Sequence, residues 1–161
     1  MRSYKKLPPQ ERRVAVFVDM PEPLRRMAKT IDAKLRARAR GVLLLAYDVG
    51  VLARTAHADE PRFGTICLIQ LAEFLGIGDG PCLLLGWGEL TRAFTREFLE
   101  QQVAVPMANG RYLELEHFLL LAYVHPFKKR MQLLNEIRQE CLSPAAARKK
   151  MVARGSSMLG G

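Results

Sequence analysis

The stretch from Leu68 to Phe94 constrains the fold of this chain most, because two helical patterns flank a glycine turn within it. The first pattern is an apolar stripe at helical spacing, made of Leu68, Leu71, Ala72 and Leu75. Gly76 stands where a helix end adopts a left-handed conformation that is costly for other residues. Ile77 then directs an apolar side chain back toward the core. We therefore predict a helix that ends at Gly76, with the stripe and Ile77 buried.

The second helix of this pair carries its own start signals. Asp79 is a candidate N-cap, and Pro81 fits the first helical turn, where its missing N–H does no harm. Two helices joined in this way are typical of a helix-turn-helix that binds DNA, and equally of a plain helical hairpin. Base edges are read by polar side chains, and here only Glu89, Thr91 and Arg92 supply them. Both interpretations stay open at this point.

Charge is segregated along the chain, with basic ends around an acidic middle. The net charge is +9. Residues 1–40 carry 12 Lys/Arg against 4 Asp/Glu, residues 41–124 carry 5 against 10, and residues 125–161 carry 8 against 2. Two flanks of the same sign favour a polyanionic partner over solvated charged faces alone. We therefore expect a nucleic-acid partner, DNA ahead of RNA.

Several classes of protein are disfavoured by the sequence. No apolar run approaches the ~20 residues that span a bilayer, and the N-terminus lacks the apolar segment of a secretory signal, so we expect no membrane partner. The three cysteines are odd in number, widely spaced and within or beside apolar stripes, which predicts buried free thiols in a reducing cytoplasm. Neither they nor the three histidines have metal-ligand spacing, and no phosphate-binding loop or nucleophile elbow occurs. We expect no metal, no cofactor and no enzymatic activity.

The N-terminal 20 residues are predicted to be a basic arm with a short extended segment. Residues 1–13 contain a Pro pair and no apolar period, as flexible arms do. Residues 14–18 are β-branched or aromatic and predict a strand or extended segment. We assign a helical domain to residues 21–154 and a flexible tail to residues 155–161. The predicted fold class is all-α, a multi-helix domain that contains a helix-turn-helix-like pair.

The longest helical pattern runs from Pro23 to about His57. Its apolar stripe consists of Leu24, Met27, Ile31 and Leu35, continued by Val42, Leu45, Val49 and Leu52. Gly41 marks either a kink or a break into two helices. The second half is apolar nearly all round and is predicted to be core, whereas the first half is basic on its other faces. That basic half suits phosphates, an anionic membrane surface or plain solvent.

Later helices are predicted from their caps and stripes. Thr95 is the expected N-cap of a helix over Arg96–Val105, and Ser143 with Pro144 opens the last helix. Between them we predict helices over Tyr112–Val124 and Pro126–Leu142. His117 is interpreted as a buried, hydrogen-bonded histidine rather than a catalyst.

Residues 42–152 resemble the N-terminal helix-turn-helix-like domain of YhcG-type predicted nucleases, which also occurs in shorter proteins of plasmids and phages. The matching motifs, in order, are Leu45–Gly50, Arg62-Phe63-Gly64, Gln70–Ile77, Leu90–Phe94, Glu116–Leu121 and Leu142–Arg148. Their order and spacing carry the resemblance more than any single motif. The resemblance implies DNA association in a bacterial, mobile-element setting. It implies no enzyme here, since no nuclease domain follows residue 152.

We interpret the chain as a cytoplasmic DNA-binding protein, regulatory or accessory, that contacts mainly phosphates. The residues predicted to bind nucleic acid are Arg25, Arg26, Lys29, Arg36, Arg38, Arg40, Arg92, Arg148, Lys149 and Lys150. The alternative is a non-enzymatic module for protein interaction or dimerisation, whose surface is the apolar face from Leu83 to Trp87. The sequence leaves a homodimer open.

Overall fold

The computed structural model describes residues 4–78 and 80–155, and within them the chain is helical, without a β-strand. The predicted all-α, multi-helix fold is therefore confirmed. After a 3-10 turn at Tyr4–Lys6, the helices of the described residues are α1 (Pro9–Asp19), α2 (Glu22–Ala58), α3 (Glu60–Phe63), α4 (Cys67–Leu75), α5 (Pro81–Ala93), α6 (Arg96–Ala104), α7 (Leu115–Ala122), α8 (Phe127–Glu140) and α9 (Pro144–Ala153).

Helix α2 is the element on which the others are assembled. It runs for 37 residues as one helix, so the sequence's alternative of a break into two helices at Gly41 is wrong. A single glycine inside a helix costs about 1 kcal/mol relative to alanine, which is not enough to end a helix of this length. Helix α2 contacts α4, α5, α6 and α7. The prediction that its second half is core is confirmed in part: Leu43, Leu44 and Ala46 are buried, whereas Val42 and Leu45 are exposed.

The buried side chains form two clusters along α2. The larger one joins Leu43 and Ala46 of α2 to residues from α5 through α9, with Phe118 and Ile137 fully enclosed. The smaller one is made of Ala53 and Ala56 of α2, Cys67, Leu68 and Ala72 of α4, and Leu84 of α5. Small side chains on α2 and α4 let these helices approach closely.

The predicted extended segment at residues 14–18 is wrong, because these residues lie inside α1. Pro9 occupies the first helical turn and Glu11 follows it, which starts the helix. An extended segment would leave its backbone N–H and C=O groups without a strand to pair with in the described residues, whereas a helix pairs them internally. Residues 4–20 are thus mostly helical rather than a flexible arm. Residues 1–3 and most of the predicted tail (156–161) lie outside the described residues.

Two of the helix caps predicted from the sequence, Thr95 and Ser143, are confirmed. The Thr95 hydroxyl accepts from the backbone N–H of Phe98 at 3.1 Å, and the Ser143 hydroxyl accepts from that of Ala146 at 3.1 Å. Helix α7 begins at Leu115, later than predicted, because the side chain of His117 caps its N-terminus. The His117 Nδ1 accepts from the N–H of Glu114 at 2.9 Å, and its Nε2 lies 2.8 Å from the Leu142 carbonyl, to which it donates. His117 is the buried, satisfied histidine that the sequence predicts.

Candidate nucleic-acid interface

The turn between α4 and α5 has the backbone geometry expected from the sequence. Gly76 is left-handed, at φ 66° and ψ 31°. The N–H of Gly76 donates to Glu73 O at 3.2 Å and that of Ile77 to Ala72 O at 3.0 Å, which satisfies the last carbonyls of α4. Pro81 lies in the first turn of α5, which Gly80 precedes at φ 63°. Asp79, the predicted N-cap, lies outside the described residues.

Helix α4 is covered on one side only, so part of its predicted buried stripe is wrong. Leu68 and Ala72 are buried against α2 and α5, and Ile77 packs against the same cluster. Leu71 and Leu75 are exposed, and Phe74 is the most exposed large apolar side chain, at 86%. Stripe spacing identifies a face of the helix, but the neighbours α2 and α5 reach only its Leu68–Ala72 edge.

Helix α5 turns most of its apolar face inward. Leu84 is fully buried, and Leu83 and Trp87 are half-buried, with Trp87 packed against the larger core cluster. The face from Leu83 to Trp87 is therefore not the exposed patch that the alternative interpretation expects. Among its side chains, Leu85 is exposed, at 42%. Cys82 at the start of the helix is exposed as well, so the predicted burial of this cysteine is wrong, whereas Cys67 of α4 is buried.

Arg92 is the basic residue of α5. Its guanidinium is exposed and lies 3.3 Å from Glu89. Exposed pairs of this kind contribute at most about 1 kcal/mol, so Arg92 can exchange its partner for a phosphate or a base. The remaining outward positions of the helix offer few polar groups for base readout.

The six basic residues predicted on α2 all lie in its first half, and most of them contact protein groups. Arg25 and Arg26 share Glu22, each at 3.1 Å. Arg40 reaches Glu100 of α6 at 2.8 Å. Lys29 stands 5.7 Å from the ring centre of Phe17 in α1. Arg38 is exposed and forms no ion pair with the described residues.

Arg36 belongs to a three-residue network that ties α2 to the segment before α7. Its Nε donates to the Tyr112 hydroxyl at 3.2 Å, and that hydroxyl donates to Asp32 at 2.7 Å. Burial, followed by the bond to Asp32, raises the pKa of Tyr112. The bond to Tyr112 raises the pKa of Arg36. The geometry gives Arg36 a positioning role within the fold.

The second predicted basic patch, on α9, also contains both cations that are unpaired among the described residues and a cation that is already paired within the protein. Arg148 and Lys149 are exposed, and the described residues offer them no ion pair. Lys150 is held by Glu136 at 3.1 Å and Glu140 at 2.7 Å, which fixes α9 against α8. The side chain of Lys150 is thus already occupied within the protein.

Two arginines outside the predicted set are structural. Arg130 is 6% exposed, and its guanidinium donates to the carbonyls of Leu121, Val124, Ala122 and Ala93 at 2.9–3.3 Å. Burial lowers the pKa of Arg130. Arg138 donates to Gln102 O at 2.6 Å and Val105 O at 2.9 Å at the end of α6. The sequence contains one signal for the burial of Arg130: it lies at helical spacing on the same face of α8 as Leu134 and Ile137.

A groove runs between α1 and the first half of α2. It encloses a cavity of about 630 Å³, whose charged lining includes Arg12, Arg13, Lys29 and Asp32. Arg12 donates to the carbonyls of Lys5 and Leu7, both at 2.9 Å, so one of these arginines is engaged locally. The groove places basic side chains of α1 beside the predicted basic face of α2.

No family model, no curated protein and no solved structure matches the chain. Its function is therefore inferred from its own residues. Within the described residues, no helix is long and apolar enough to cross a membrane. The same residues contain no group of three His, Cys, Asp or Glu side chains that could hold a metal ion.

Proposed function

We propose that this protein is a DNA-binding regulatory or accessory protein, without enzymatic activity, that holds duplex DNA through its phosphates. The observation that carries the proposal is the charge of the N-terminal helix pair, residues 4–42. This pair carries 11 Lys/Arg against 4 Asp/Glu, and none of its residues is buried. Exposed cations concentrated on one element attract a polyanion and release its counterions on binding.

The basic residues differ in how available they are for phosphates, because some are already engaged by protein groups. Arg26, Lys29 and Arg38 are exposed and held weakly or not at all, so they are the leading candidates for phosphate contacts. Arg25 and Arg40 can exchange an exposed carboxylate for a phosphate, because surface pairs contribute little. Arg36 contributes mainly by holding α2 in place. On α9, Arg148 and Lys149 form a second contact point.

Helices α4 and α5 orient the protein on DNA in this proposal. Because α5 presents few polar side chains outward, binding depends little on sequence, and Arg92 supplies what readout there is. The resemblance of residues 42–152 to the YhcG-type domain supports DNA association, a bacterial host and a mobile-element origin. Three cysteines without a disulfide suit a reducing cytoplasm.

The test is an electrophoretic mobility shift with random-sequence duplex over a series of salt concentrations. The logarithm of affinity should fall linearly with the logarithm of salt, with a slope of about −0.9 for each phosphate neutralised. The double variant Arg26→Gln/Arg38→Gln should flatten this slope by about one to two units on every sequence. RNA duplex in the same assay distinguishes the two nucleic acids.

A matched control removes the same charge elsewhere. Arg62 and Lys128 are exposed and lie outside the N-terminal helix pair and α9, so Arg62→Gln/Lys128→Gln should leave the slope nearly unchanged. Absence of binding at low salt, or equal effects of the two double variants, contradicts the proposal.

A second candidate function is a protein-interaction or homodimerisation module. The observation that favours it is the number of exposed apolar side chains on α2 and α4, including Leu45, Leu52 and Phe74. The surface concerned differs from the Leu83–Trp87 face expected from the sequence. DNA binding and homodimerisation are compatible.

A further inference from the structure

The N-terminal helix pair has no core of its own. Two helices, α1 and the first half of α2, fill residues 4–42, yet the first buried residue of the chain's described part is Leu43. On α1 the apolar Val14 and Val18 are exposed, at 60% and 61%. Helices in globular proteins derive most of their stability from packing of an apolar face. This pair lacks such packing within one copy.

Apart from Val51, the exposed large apolar side chains of α2 lie in one strip, which we call the apolar seam. It consists of Leu24, Met27, Ile31, Leu35, Val42, Leu45 and Leu52, each between 45% and 69% exposed. Successive members are three, four or seven residues apart, so they share one face of the helix. Arg38 and Val49 fill the two seven-residue gaps at the same spacing. This is the pattern of a helix that packs against another helix along its length.

The size of the seam is that of a stable interface. At 1.5 Å per residue, the distance from Leu24 to Leu52 is about 42 Å. Seven large side chains, each roughly half exposed, add to several hundred Å² per copy, close to the ~800 Å² that each partner of a stable complex buries. Monomeric proteins rarely expose an apolar strip of this extent.

We propose that the seam is covered by the seam of a second copy of this chain, with the two α2 helices antiparallel. The spacing is symmetric about Arg38 to within one residue, so this arrangement places Leu24 opposite Leu52 and Ile31 opposite Leu45 of the second copy. Leu35 and Val42 pair with an offset of one residue. Each apolar residue then meets an apolar residue. The long side chain of Arg38, at the midpoint, lays its methylenes on the seam and keeps its guanidinium in solvent.

Charge selects the antiparallel direction. Residues 22–40 carry 7 Lys/Arg against 2 Asp/Glu, whereas residues 41–58 carry 1 against 1. A parallel pair would bring the two basic halves together over their whole length. The antiparallel pair sets each basic half against the neutral half of the other copy, which removes most of that repulsion.

This inference deepens the proposed function, since a dimer presents two basic helix pairs to one duplex, but its test uses no nucleic acid. Salt acts in opposite directions on the two events. Higher salt screens repulsion between basic copies and strengthens an apolar dimer, whereas it weakens phosphate binding. Failure of one proposal is therefore distinguishable from failure of the other.

The first experiment is analytical ultracentrifugation of the full chain from micromolar concentrations upward. A species of twice the 18.2 kDa chain mass is expected. The variants Ile31→Glu and Leu45→Glu should each raise the dimer dissociation constant by about 100-fold or more, because a carboxylate is desolvated twice per dimer. Val51→Glu is the matched control, since Val51 is exposed on the opposite face of α2 and should change the constant less than about threefold. Circular dichroism checks that all variants keep their helices.

The second experiment determines direction by disulfide formation. In a background with Cys82→Ser and Cys141→Ser, Arg38→Cys should cross-link to itself. A mixture of Ile31→Cys and Leu45→Cys proteins should give the mixed cross-link, and Ile31→Cys alone should give little. Self-linking of Ile31→Cys at the rate of the mixture overturns the antiparallel arrangement.

Other occupants of the seam are outcomes of the same tests. A monomer at every concentration, or a dimer that Ile31→Glu and Leu45→Glu leave intact, overturns the proposal. Sedimentation with phosphatidylserine–phosphatidylcholine vesicles tests a membrane surface, which a basic apolar helix can also bind. Vesicle binding by a chain that stays monomeric would assign the seam to lipid instead.

Discussion

Gly50 of α2 lies directly against the backbone carbonyl of Trp87 in α5. A Cβ on Gly50 would stand 2.6 Å from the carbonyl carbon of Trp87 and 3.0 Å from a methyl carbon of Thr91. Backbone atoms cannot move aside as a flexible side chain can. The close contact of α2 and α5 therefore depends on the missing side chain of Gly50, and it determines where α5 lies.

We expect Gly50→Ala to reduce the free energy of unfolding by about 1–3 kcal/mol, as overpacking in a tight contact does. The matched control is Gly41→Ala on the same helix, where nothing lies within 4 Å of the added Cβ. That substitution should stabilise by about 0.5–1 kcal/mol, because alanine favours the helix over glycine. Urea denaturation of both variants measures the difference. A stabilising Gly50→Ala would disprove the close contact.

Arg130 is expected to matter to stability rather than to binding. Arg130→Met should cost about 3 kcal/mol or more, because buried carbonyls at the end of α7 lose their donors. Arg130→Lys should rescue little, since one ammonium cannot replace the planar fork. Thermal unfolding measures both, and Arg148→Met, at an exposed arginine, is the control. Equal melting temperatures for Arg130→Met and Arg148→Met would contradict the buried role.

Local signals in the sequence predicted helix starts and turns well, although the β-branched run at residues 14–18 gave the wrong element because it lies inside α1. The left-handed Gly76, Pro81 in the first turn of α5, and the caps Thr95 and Ser143 each depend on a few neighbouring residues. Burial depends on distant elements, so it was harder to predict. The exposure of Leu71 and Leu75 follows from where α2 and α5 happen to contact α4, which no spacing reveals.

The candidate site was predictable in outline only, because the sequence shows where basic residues cluster but not which groups they contact. Basic clusters are visible in the sequence, but which cations are already engaged is not. Arg36 is bonded to Tyr112, which lies 76 residues away, and Arg130 lies in the interior although Lys128 and Lys129 precede it. Partners this far apart in the chain become apparent in the folded structure.

Glu136 should make stability depend on pH. The hydrogen bond from Arg154 at 2.8 Å, followed by Lys150, lowers the pKa of this carboxyl. A lowered carboxyl pKa contributes stability above the pKa of the unfolded chain, about 4.3, and that contribution is lost as pH falls through the folded value. Glu136→Gln should therefore lower the melting temperature at neutral pH, and its difference from wild type should shrink as the pH falls below about 4.3 and through the lower folded value. Glu116→Gln, at an exposed carboxylate, should show no such convergence.

Trp87 reports on the fold and on the alternative partner surface. Because it packs against the larger core cluster, its fluorescence maximum should be blue-shifted in the folded chain and resist quenching by iodide. The maximum should stay constant as protein concentration rises through dimer formation, since the apolar seam does not include Trp87. A red-shifted maximum that moves to the blue only at high concentration would restore the Leu83–Trp87 face as the interface.

The exposed and engaged cations of α9 should respond differently to neutralisation. Arg148→Gln/Lys149→Gln should flatten the salt dependence of DNA binding by up to about two units, because both side chains are available to phosphates. The same change should leave the melting temperature nearly unaltered, as solvated charges contribute little to stability. Lys150→Gln should do the reverse, lowering the melting temperature by breaking the ion pairs to Glu136 and Glu140 while leaving the slope unchanged. Mobility shifts and thermal unfolding of the two variants, run side by side, measure both effects. If Lys150→Gln flattens the slope as much as the double variant does, the distinction between engaged and available cations fails.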